Sequence, residues 1–280
     1  MYLGFVVVKG AGLVEVRSLC DVALLAGQEI LRVYATDFDV EIKADQSPVT
    51  IADTAAEAII LRALHEMYPG IPVVAEEAVS AGDTPAIENT FFLVDPLDGS
   101  KEFVSKNGEF TVNIAVVVAG EPVMGVVYAP ALGKLWWGAK GQGSFYAKVV
   151  DGCISEAHQI GVREASSGLR AVGSRSHGSG EGDERLSRLP IRDYVSAGSS
   201  LKFCLVASGE ADVYPRLGRT MEWDTAAGDA VLRAAGGRVE RLDGGLLVYG
   251  KRQQVGDVDF ANPFFIAYGD TRFCQMADAV

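Results

Sequence analysis

The middle of the chain contains β-rich segments that are joined by very short connections. The segments are residues 111–119, 122–129 and 134–146. Only residues 120–121 and the turn at 130–133 separate them. Parallel strands need a crossover of a dozen or more residues, whereas antiparallel strands can be joined by a tight turn. The spacing therefore predicts an antiparallel meander in this part of the chain.

Helical patterns precede the meander, and alternating elements follow it. Apolar residues recur at spacings of three and four over residues 13–34 and 51–67, which predicts two amphipathic helices. The later elements are predicted as strands at 169–173, 194–197, 212–214, around 239 and 264–268, and as helices at 184–189, 199–208 and 224–235. Alternation of this kind is typical of a layered α/β structure.

The length of 280 residues allows one large domain or two smaller ones. Residues 152–159 have neither strong periodicity nor high apolar content, so we place a boundary near residue 155. The predicted parts are an N-terminal α+β part, residues 1–155, and a C-terminal α/β part, residues 156–280.

Charge and cysteine content argue against several classes of protein. Asp and Glu number 37 against 25 Lys and Arg, a net charge of −12, whereas a nucleic-acid-binding surface needs a basic stripe. Four widely spaced cysteines do not make a disulfide framework. The apolar first residues lack a preceding basic region and are interrupted by Lys9 and Glu15, which predicts a cytoplasmic protein without a signal peptide.

Common catalytic motifs are absent from the sequence. There is no G-x-S-x-G nucleophile elbow, and no G-x-G-x-x-G opens a predicted helix. The three histidines, His65, His158 and His177, are too scattered for a zinc site with two close ligands. Any chemistry must therefore depend on carboxylates.

The acidic segment that begins at Asp95 is the most informative one. An apolar strand ends there, Pro96 fixes the exit of the chain, and Asp98-Gly99 forces a tight turn. Two carboxylates and a backbone carbonyl can then point to one place, which suits Mg²⁺. Gly99 lets backbone N–H groups approach an anion. Such dipeptides also mark ordinary surface turns, so this interpretation stays open for the segment alone.

Three further acidic segments point in the same direction. Glu76 and Glu77 follow an apolar strand, where adjacent acids repel each other unless a metal or solvent compensates them. Asp224 begins a predicted helix, which a simple N-cap also explains. Asp53 and Thr50 have the pattern of a capping box. Each segment has a structural explanation, but those explanations do not readily account for all four acidic segments together.

The segment at residues 95–100 resembles the D-P-[LI]-D-G-[ST] signature of the magnesium-dependent, lithium-sensitive phosphatase superfamily. This superfamily includes inositol monophosphatases, fructose-1,6-bisphosphatases and bisphosphate nucleotidases. Glu76-Glu77 and residues 223–228 resemble its other two metal motifs, in the expected order. The resemblance covers residues 13–270 and implies an α+β layered sandwich, αβαβα, with the inositol monophosphatase-like fold. Ser100 stands where the family usually has Thr, so the hydroxyl is kept but is less restrained.

Further segments are similar to one branch of the superfamily, the 3′(2′),5′-bisphosphate nucleotidases of the bacterial CysQ type. These segments are residues 43–50, 101–103, 107–113, 174–177, 198–204 and 214–216. The branch implies hydrolysis of adenosine 3′,5′-bisphosphate to AMP and phosphate, in the clearance of a by-product of sulfate assimilation. It also implies inhibition by Li⁺ and, in some bacterial members, loose attachment to the cytoplasmic face of the inner membrane.

The same resemblance implies roles for individual residues. One Mg²⁺ is expected at Glu76, Asp95 and the Leu97 carbonyl, and a second at Asp95, Asp98 and Asp224. Asp53 and Ser100 are expected to orient and deprotonate the attacking water, and Glu77 to hold a third, weaker ion or to assist them. The expected substrate-binding residues are Gly99, Ser100, Ser174, His177, Gly198, Ser199, Ser200, Lys202 and Arg216. The N-terminus of the helix predicted from Ser199 offers N–H groups to an anion, although a simple helix cap also explains these serines.

Other functions stay open on the sequence. An inositol monophosphatase or a broad sugar phosphatase belongs to the same class of enzyme. A non-catalytic nucleotide- or metal-binding module would keep the acids, and acids that serve only as turns and caps would have no catalytic function. The sequence leaves the oligomeric state open.

Overall fold

Two long helices and two short strand pairs precede the main sheet. The computed structural model describes residues 5–8, 12–42, 48–165, 168–173 and 187–274. The first elements are β1 (Phe5–Val8), β2 (Gly12–Glu15), α1 (Val16–Tyr34), β3 (Glu41–Ile42), β4 (Pro48–Val49) and α2 (Ile51–Met67). The helix predicted from residue 13 begins at Val16, because residues 12–15 pair with β1.

The two long helices follow from local sequence features. α1 buries one face, which includes Leu19, Ala23 and Ile30. α2 has the predicted bounds, and Thr50 caps it by accepting the Ala52 N–H on its Oγ1 at 3.1 Å. The two helices pack against each other and cover one face of the main sheet.

The predicted meander forms most of an eight-stranded sheet. The next elements are β5 (Val73–Ala75), α3 (Glu76–Ser80), β6 (Thr90–Asp98), α4 (Ser100–Val104), β7 (Thr111–Val118), β8 (Glu121–Ala129), β9 (Lys134–Ala139), β10 (Gly143–Val150), β11 (Cys153–Ile154) and β12 (His158–Ile160). The order is β11-β10-β9-β8-β7-β6-β5, and β12 also pairs with β10. Only the β5–β6 pair is parallel among these described strands.

One prediction about this region is wrong in detail. The single strand predicted over residues 134–146 is two strands, β9 and β10, because the chain reverses at residues 140–142. Residues 152–159, which lack a clear pattern, contain β11 and the start of β12.

A smaller sheet lies in the second half of the chain. Its strands and the associated helices are β13 (Leu169–Gly173), β14 (Ile191–Ser196), α5 (Leu201–Ala207), β15 (Val213–Arg216), α6 (Glu222–Ala234), β16 (Arg238–Arg241) and β17 (Phe265–Tyr268). The order is β14-β13-β15-β17-β16. β13 is parallel to β14 and β15, whereas β17 is antiparallel to β15 and β16. The first half of the helix predicted at 184–189 lies outside the described residues.

Alternating side chains of the main sheet build a separate core on each face. Along β7, Val112, Ile114 and Val116 face the cluster beneath α1 and α2. Ala115 and Val117 point to the opposite cluster, which contains α5, α6 and residues of the second sheet. Successive residues of a strand face opposite sides, so β7 is buried on both. The result is a layered α+β arrangement, with α5 and α6 between the two sheets.

α6 lies unusually close to the main sheet. Gly125 on β8 and Gly138 on β9 are direct partners in the sheet, and α6 packs over them. A Cβ atom added to Gly125 would lie only 2.3 Å from the carbonyl oxygen of Ala227. One added to Gly138 would lie 3.0 Å from the Cα atom of Val231. The two glycines thus let the helix backbone approach the strands.

The division near residue 155 stays a prediction. It falls between β11 and β12, and both of these strands pair with β10. α6, which follows the boundary, packs on strands that precede it.

Within the described ranges, no helix combines the length and the apolar character needed to cross a bilayer.

Candidate metal and phosphate site

A bulge at the end of β6 places two aspartates on one side of the sheet. Asp95 pairs with Asn113 and Asp98 pairs with Thr111, so three steps along β6 match two steps along β7. Residues three apart on a regular strand face opposite sides, and one extra residue brings them to the same side. Pro96 lies inside this irregular stretch, where a residue without an N–H group is tolerated.

A left-handed glycine turns the chain directly after this bulge. Gly99 has φ 96° and precedes the short helix α4. Its hypothetical Cβ atom would lie 3.3 Å from the Glu109 carbonyl oxygen and 3.3 Å from the Ser199 Cβ atom. Glycine is therefore required here both for the turn and for the close approach of two other segments.

Asp53 joins a capping role to a contact with the predicted site. Its Oδ2 accepts the Thr50 N–H at 2.8 Å, which confirms the capping box. Its Oδ1 accepts the Ser100 hydroxyl at 3.2 Å. The hydroxyl also lies 3.4 Å from the Leu97 carbonyl oxygen. The two explanations considered for Asp53 are thus compatible, because each uses a different carboxylate oxygen.

Glu76 and Glu77 begin a helix. β5 ends at Ala75, and the two acids form the first turn of α3, where both are half-buried. Negative charge is favourable at a helix N-terminus, which in part compensates two adjacent acids. The β5–β6 pairing brings this turn beside the end of β6.

Asp224 is the third residue of α6. The sequence offered an N-cap as the simple explanation, but the cap position belongs to Met221. Asp224 Oδ2 accepts the Met221 N–H at 2.8 Å. This contact orients the half-buried carboxylate at the helix N-terminus.

These carboxylates raise one another's pKa values. The pKa of Asp95 lies well above its usual range because of burial first and then the charges of Glu76, Asp98 and Asp224. A hydrogen bond from the Leu97 N–H acts in the opposite direction. Burial also raises the pKa of Asp224, and the neighbouring Asp98 and Glu76 add to the effect. A cation bound among these carboxylates would relieve their mutual repulsion.

The donor set fits a hard divalent cation. In the part of the chain that the structure describes, hydrogen bonds reach one oxygen each of Asp95, Asp98 and Asp224 and leave the other oxygen without one. Oxygen ligands of this kind suit Mg²⁺. No group of three or more Asp, Glu, His or Cys side chains among the described residues could hold a metal ion as it stands. The carboxylates would therefore have to move closer to a bound ion.

A buried polar network connects Asp98 with the segment before α5. Asp98 Oδ2 accepts the Ser199 hydroxyl at 2.7 Å and the Asn113 amide at 3.3 Å. Asn113 also donates to Ser200 Oγ at 3.0 Å, and Ser200 donates to the Asp224 carbonyl oxygen at 2.7 Å. The Thr111 hydroxyl lies 2.5 Å from that of Ser199. The network thus links three site segments through side chains that are largely buried.

The helix predicted from Ser199 begins two residues later. α5 starts at Leu201, because Ser199 has φ 51° and its hydroxyl turns to Asp98. The expectation of a helix N-terminus at Ser199 is therefore wrong. Gly198 lies against Glu109, whose Oε2 accepts the Gly198 N–H at 2.8 Å.

Lys202 and Arg216 line the same pocket as Asp98 and Asp224. Lys202 is buried, and its Nζ donates to the carbonyl oxygen of Ser199 at 2.5 Å. Burial lowers the pKa of Lys202 to about 8, although Asp98 opposes this change. The pocket is therefore lined by both carboxylates and cationic side chains. Gly99 also lines it, whereas Ser174 and His177 lie outside the described residues.

The layered α+β fold brings four acidic segments together, and two of them line a pocket with a lysine and an arginine. This is the arrangement expected of a metal-dependent phosphatase. The chain belongs to the inositol monophosphatase family, whose model matches residues 13–263. Its members are metal-dependent and generally use Mg²⁺.

Relatives within this family are similar over almost the whole chain. The 3′(2′),5′-bisphosphate nucleotidase CysQ of Salmonella typhimurium is 44% identical over 251 residues, which cover 89% of this chain and 97% of that protein. The protein of the same name from Escherichia coli O157:H7 is 45% identical over 250 residues, with the same two coverages of 89% and 97%.

Solved structures confirm the predicted fold. CysQ from Bacteroides thetaiotaomicron is 39% identical, with a TM-score of 0.74 over 91% of this chain and 96% of that one. An inositol monophosphatase from Anabaena (Nostoc) sp. PCC 7120 is 23% identical, with a TM-score of 0.69 over 94% of this chain and 93% of that one. The second likeness concerns the fold alone.

Sequence reasoning gave no role to several side chains of the site. Asn113 and Thr111 lie in a segment that was compared with the nucleotidases, but neither was proposed to act. Tyr214 lines the pocket beside Lys202. Glu57 contacts the turn that carries Glu77. The available signal for Glu57 was its position four residues after Asp53, on the same face of α2.

Proposed function

We propose that this chain is a 3′(2′),5′-bisphosphate nucleotidase that hydrolyses adenosine 3′,5′-bisphosphate to AMP and phosphate. The observation that carries the proposal is one pocket lined by the carboxylates of Asp98 and Asp224 together with the cationic side chains of Lys202 and Arg216. A substrate with two phosphate groups needs both a reacting site and a second anion contact. The name of the relatives that are 44–45% identical supports the same reaction.

The residues proposed to hold Mg²⁺ come from three segments. They are Glu76, Asp95, the Leu97 carbonyl, Asp98 and Asp224, for two ions, with Glu77 at a third, weaker site. Bound divalent ions supply Lewis acidity and lower the pKa of a bound water. The raised pKa values of Asp95 and Asp224 support this assignment, because a cation would relieve the repulsion that raises them.

Asp53 and Ser100 are proposed to act on the attacking water. The Ser100 hydroxyl donates to Asp53 Oδ1 at 3.2 Å, so a water beside Ser100 Oγ can pass its proton toward that carboxylate. The water oxygen forms a bond to phosphorus, and the bond from phosphorus to the ribose 3′ oxygen breaks. The 3′ oxygen takes up a proton from water and becomes the free hydroxyl of AMP. The second contact of Asp53, with Thr50, holds the carboxylate in place.

The remaining phosphate and the nucleoside are proposed to contact the other end of the pocket. Lys202 and Arg216 supply positive charge, and Gly99 and Ser199 line the pocket beside Asp98. Gly198 and Ser200, which flank Ser199 in the chain, stay proposed contacts of the substrate. Ser174 and His177, which lie outside the described residues, stay proposed contacts of the nucleotide.

The place of the reaction in sulfate assimilation follows from the resemblance to the CysQ-type enzymes. A cytoplasmic location is proposed with it, and loose attachment to the inner membrane rests on that resemblance alone.

A substrate comparison tests the proposed function. Phosphate release is measured from adenosine 3′,5′-bisphosphate and from inositol 1-phosphate at equal Mg²⁺, with EDTA-treated protein as the control. We expect faster release from the bisphosphate, with AMP as the nucleotide product, and inhibition by added Li⁺. A preference for inositol 1-phosphate would support the inositol monophosphatase alternative instead. No release in a single turnover with excess protein would support a non-catalytic binding module.

A further inference from the structure

The short helix that carries Glu76 and Glu77 has no capping side chain of its own. α3 follows Ala75, and no side chain at that position accepts a hydrogen bond from the helix. The first N–H groups of a helix have no partner within it and are usually bound by an oxygen of the preceding residue. At α3 these groups need an acceptor from another part of the chain.

Glu57, in the middle of α2, is that acceptor. Its Oε2 accepts the Glu77 N–H at 2.8 Å, and its Oε1 accepts the Ala78 N–H at 2.8 Å. The Glu57 side chain lies in the interior, with 5% of the residue exposed. Because each carboxylate oxygen holds one amide, the contact restrains both the position of α3 and its rotation.

The same face of α2 also contacts the segment that carries Ser100. Asp53 precedes Glu57 by four residues, so the two carboxylates lie one helical turn apart on one face. Asp53 accepts the Ser100 hydroxyl, while Glu57 holds the first turn of α3. α2 therefore fixes two site segments relative to each other, although the segments are separate in the chain.

We propose that Glu57 is a positioning residue for the metal ligand Glu76. Its carboxylate holds the first turn of α3 and thereby fixes where the Glu76 carboxylate lies relative to Asp95. Both Glu57 oxygens are oriented by backbone amides, whereas Asp95, Asp98 and Asp224 each keep one oxygen without a hydrogen bond among the described residues. This inference rests on the proposed function, because Mg²⁺ is the cofactor of the proposed reaction.

Glu57→Gln tests the proposal in the full-length protein. Glutamine has nearly the same size but presents an NH₂ group to one of the two amides, so one hydrogen bond is lost. We expect faster hydrogen exchange at the Glu77 and Ala78 amides in the metal-free protein. We also expect the Mg²⁺ concentration at half-maximal thermal stabilisation to rise about ten- to hundredfold, as for other residues that orient metal ligands. Turnover should recover at saturating Mg²⁺.

Asp212→Asn is the matched control. Asp212 is a buried carboxylate beside β15 that accepts the Arg170 N–H at 2.7 Å and pairs with Arg163, in the second sheet. The control should lose stability without a change in the Mg²⁺ midpoint. If Glu57→Gln does not fold, Glu57→Asp keeps the charge but shortens the side chain, and the same rise in midpoint is expected.

Two results would overturn the role of Glu57. One is an unchanged Mg²⁺ midpoint in the folded Glu57 variant, and the other is an equal rise in the Asp212 variant. A wild-type protein that binds Mg²⁺ but does not cleave the bisphosphate would instead overturn the proposed reaction, so the two failures are distinguishable. A wild-type protein with no Mg²⁺ response would overturn both.

Discussion

Asp95 is a buried carboxylate whose strongest electrostatic neighbours are other carboxylates. It is 1% exposed, and its single hydrogen bond among the described residues comes from the Leu97 N–H. Burial and the charges of Glu76, Asp98 and Asp224 raise its pKa. A fold retains such an unfavourable group where a ligand compensates it, and here that ligand is the proposed Mg²⁺.

Asp95→Asn tests this residue directly. We expect nearly all turnover to be lost, together with the thermal stabilisation by Mg²⁺, because the amide removes the negative charge that two ions would share. The metal-free variant should be at least as stable as the wild type, since a neutral side chain relieves the repulsion. Phosphate release and melting temperature with and without Mg²⁺ are the measurements. Asp151→Asn, in an exposed turn, is the control, and a near-normal rate for Asp95→Asn would contradict the metal assignment.

Single residues of the site were partly predictable. The sequence pattern at Thr50 and Asp53 indicated a capping box, and the resemblance indicated a catalytic role; the structure allows both because the two oxygens of Asp53 have different partners. Asn113 was beyond prediction, because its function depends on contacts with Asp98 and Ser200 that only the folded chain brings together.

At the level of elements, α6 is positioned by the absence of side chains beneath it. Gly125 and Gly138 leave room for the helix backbone, and the N-terminal end of the same helix carries Asp224. A glycine inside a strand signals a close approach of another backbone. The sequence does not show which element approaches, since the strand glycines and α6 are far apart in the chain and meet only in the folded protein.

Gly125→Ala is expected to displace α6. The new methyl group would meet the Ala227 backbone, which cannot rotate away as a flexible side chain would. We expect a loss of about 1–3 kcal/mol in the free energy of unfolding, as is usual for an overpacked site. We also expect reduced turnover, because Asp224 moves with the helix. Chemical denaturation and phosphate release are the measurements.

Gly70→Ala is the control for this substitution. No heavy atom lies within 4 Å of a Cβ atom at Gly70, apart from its immediate surroundings. The control should keep normal turnover. Equal behaviour of the two variants would show that close packing at Gly125 is unimportant.

Element boundaries were predicted well where local patterns are strong. α2 and β13 have the predicted bounds, because capping and apolar patterns define them locally. The residues at 134–146 were treated as one segment, although the polar, glycine-containing residues 140–143 are a local signal for the reversal. Ser199 was wrongly assigned to a helix. Its left-handed conformation goes with a long-range hydrogen bond to Asp98, which the local sequence does not report.

At the scale of the whole molecule, Asp270 connects the chain after β17 to the chain before β13. It accepts the Ala165 N–H at 3.1 Å and binds the Arg272 guanidinium. The Arg272 side chain is the main reason that the pKa of Asp270 falls to about 2, although burial opposes the change. Above the ordinary pKa of a free aspartate this charge stabilises the fold, and the contribution is lost as pH falls through about 2.

Asp270→Asn should therefore destabilise the protein most near neutral pH. The difference from the wild type in the free energy of unfolding should be constant from neutral pH to about 4 and should shrink toward pH 2. Chemical denaturation at several pH values measures it, with Asp151→Asn as the control. A difference that grows as the pH is lowered would contradict the role of the Asp270 charge.

The layered architecture was predictable from the resemblance and from the pattern of elements together. The short connections of the meander indicated antiparallel pairing, which the main sheet confirms. The packing of the two halves against each other was not predictable, because nothing in the local sequence shows that Val117 and Phe203 belong to one core.

That shared core affects how the protein emerges from the ribosome. Chains are made at about 5–20 residues per second, so roughly ten seconds or more separate Asp53 from Asp224. Until α5 and α6 are made, the face of the main sheet with Val117 and Leu93 lacks the helices that cover it in the folded protein. We expect a nascent chain halted at residue 155 to associate with chaperones or to aggregate, and the acidic pocket to be among the last parts to form.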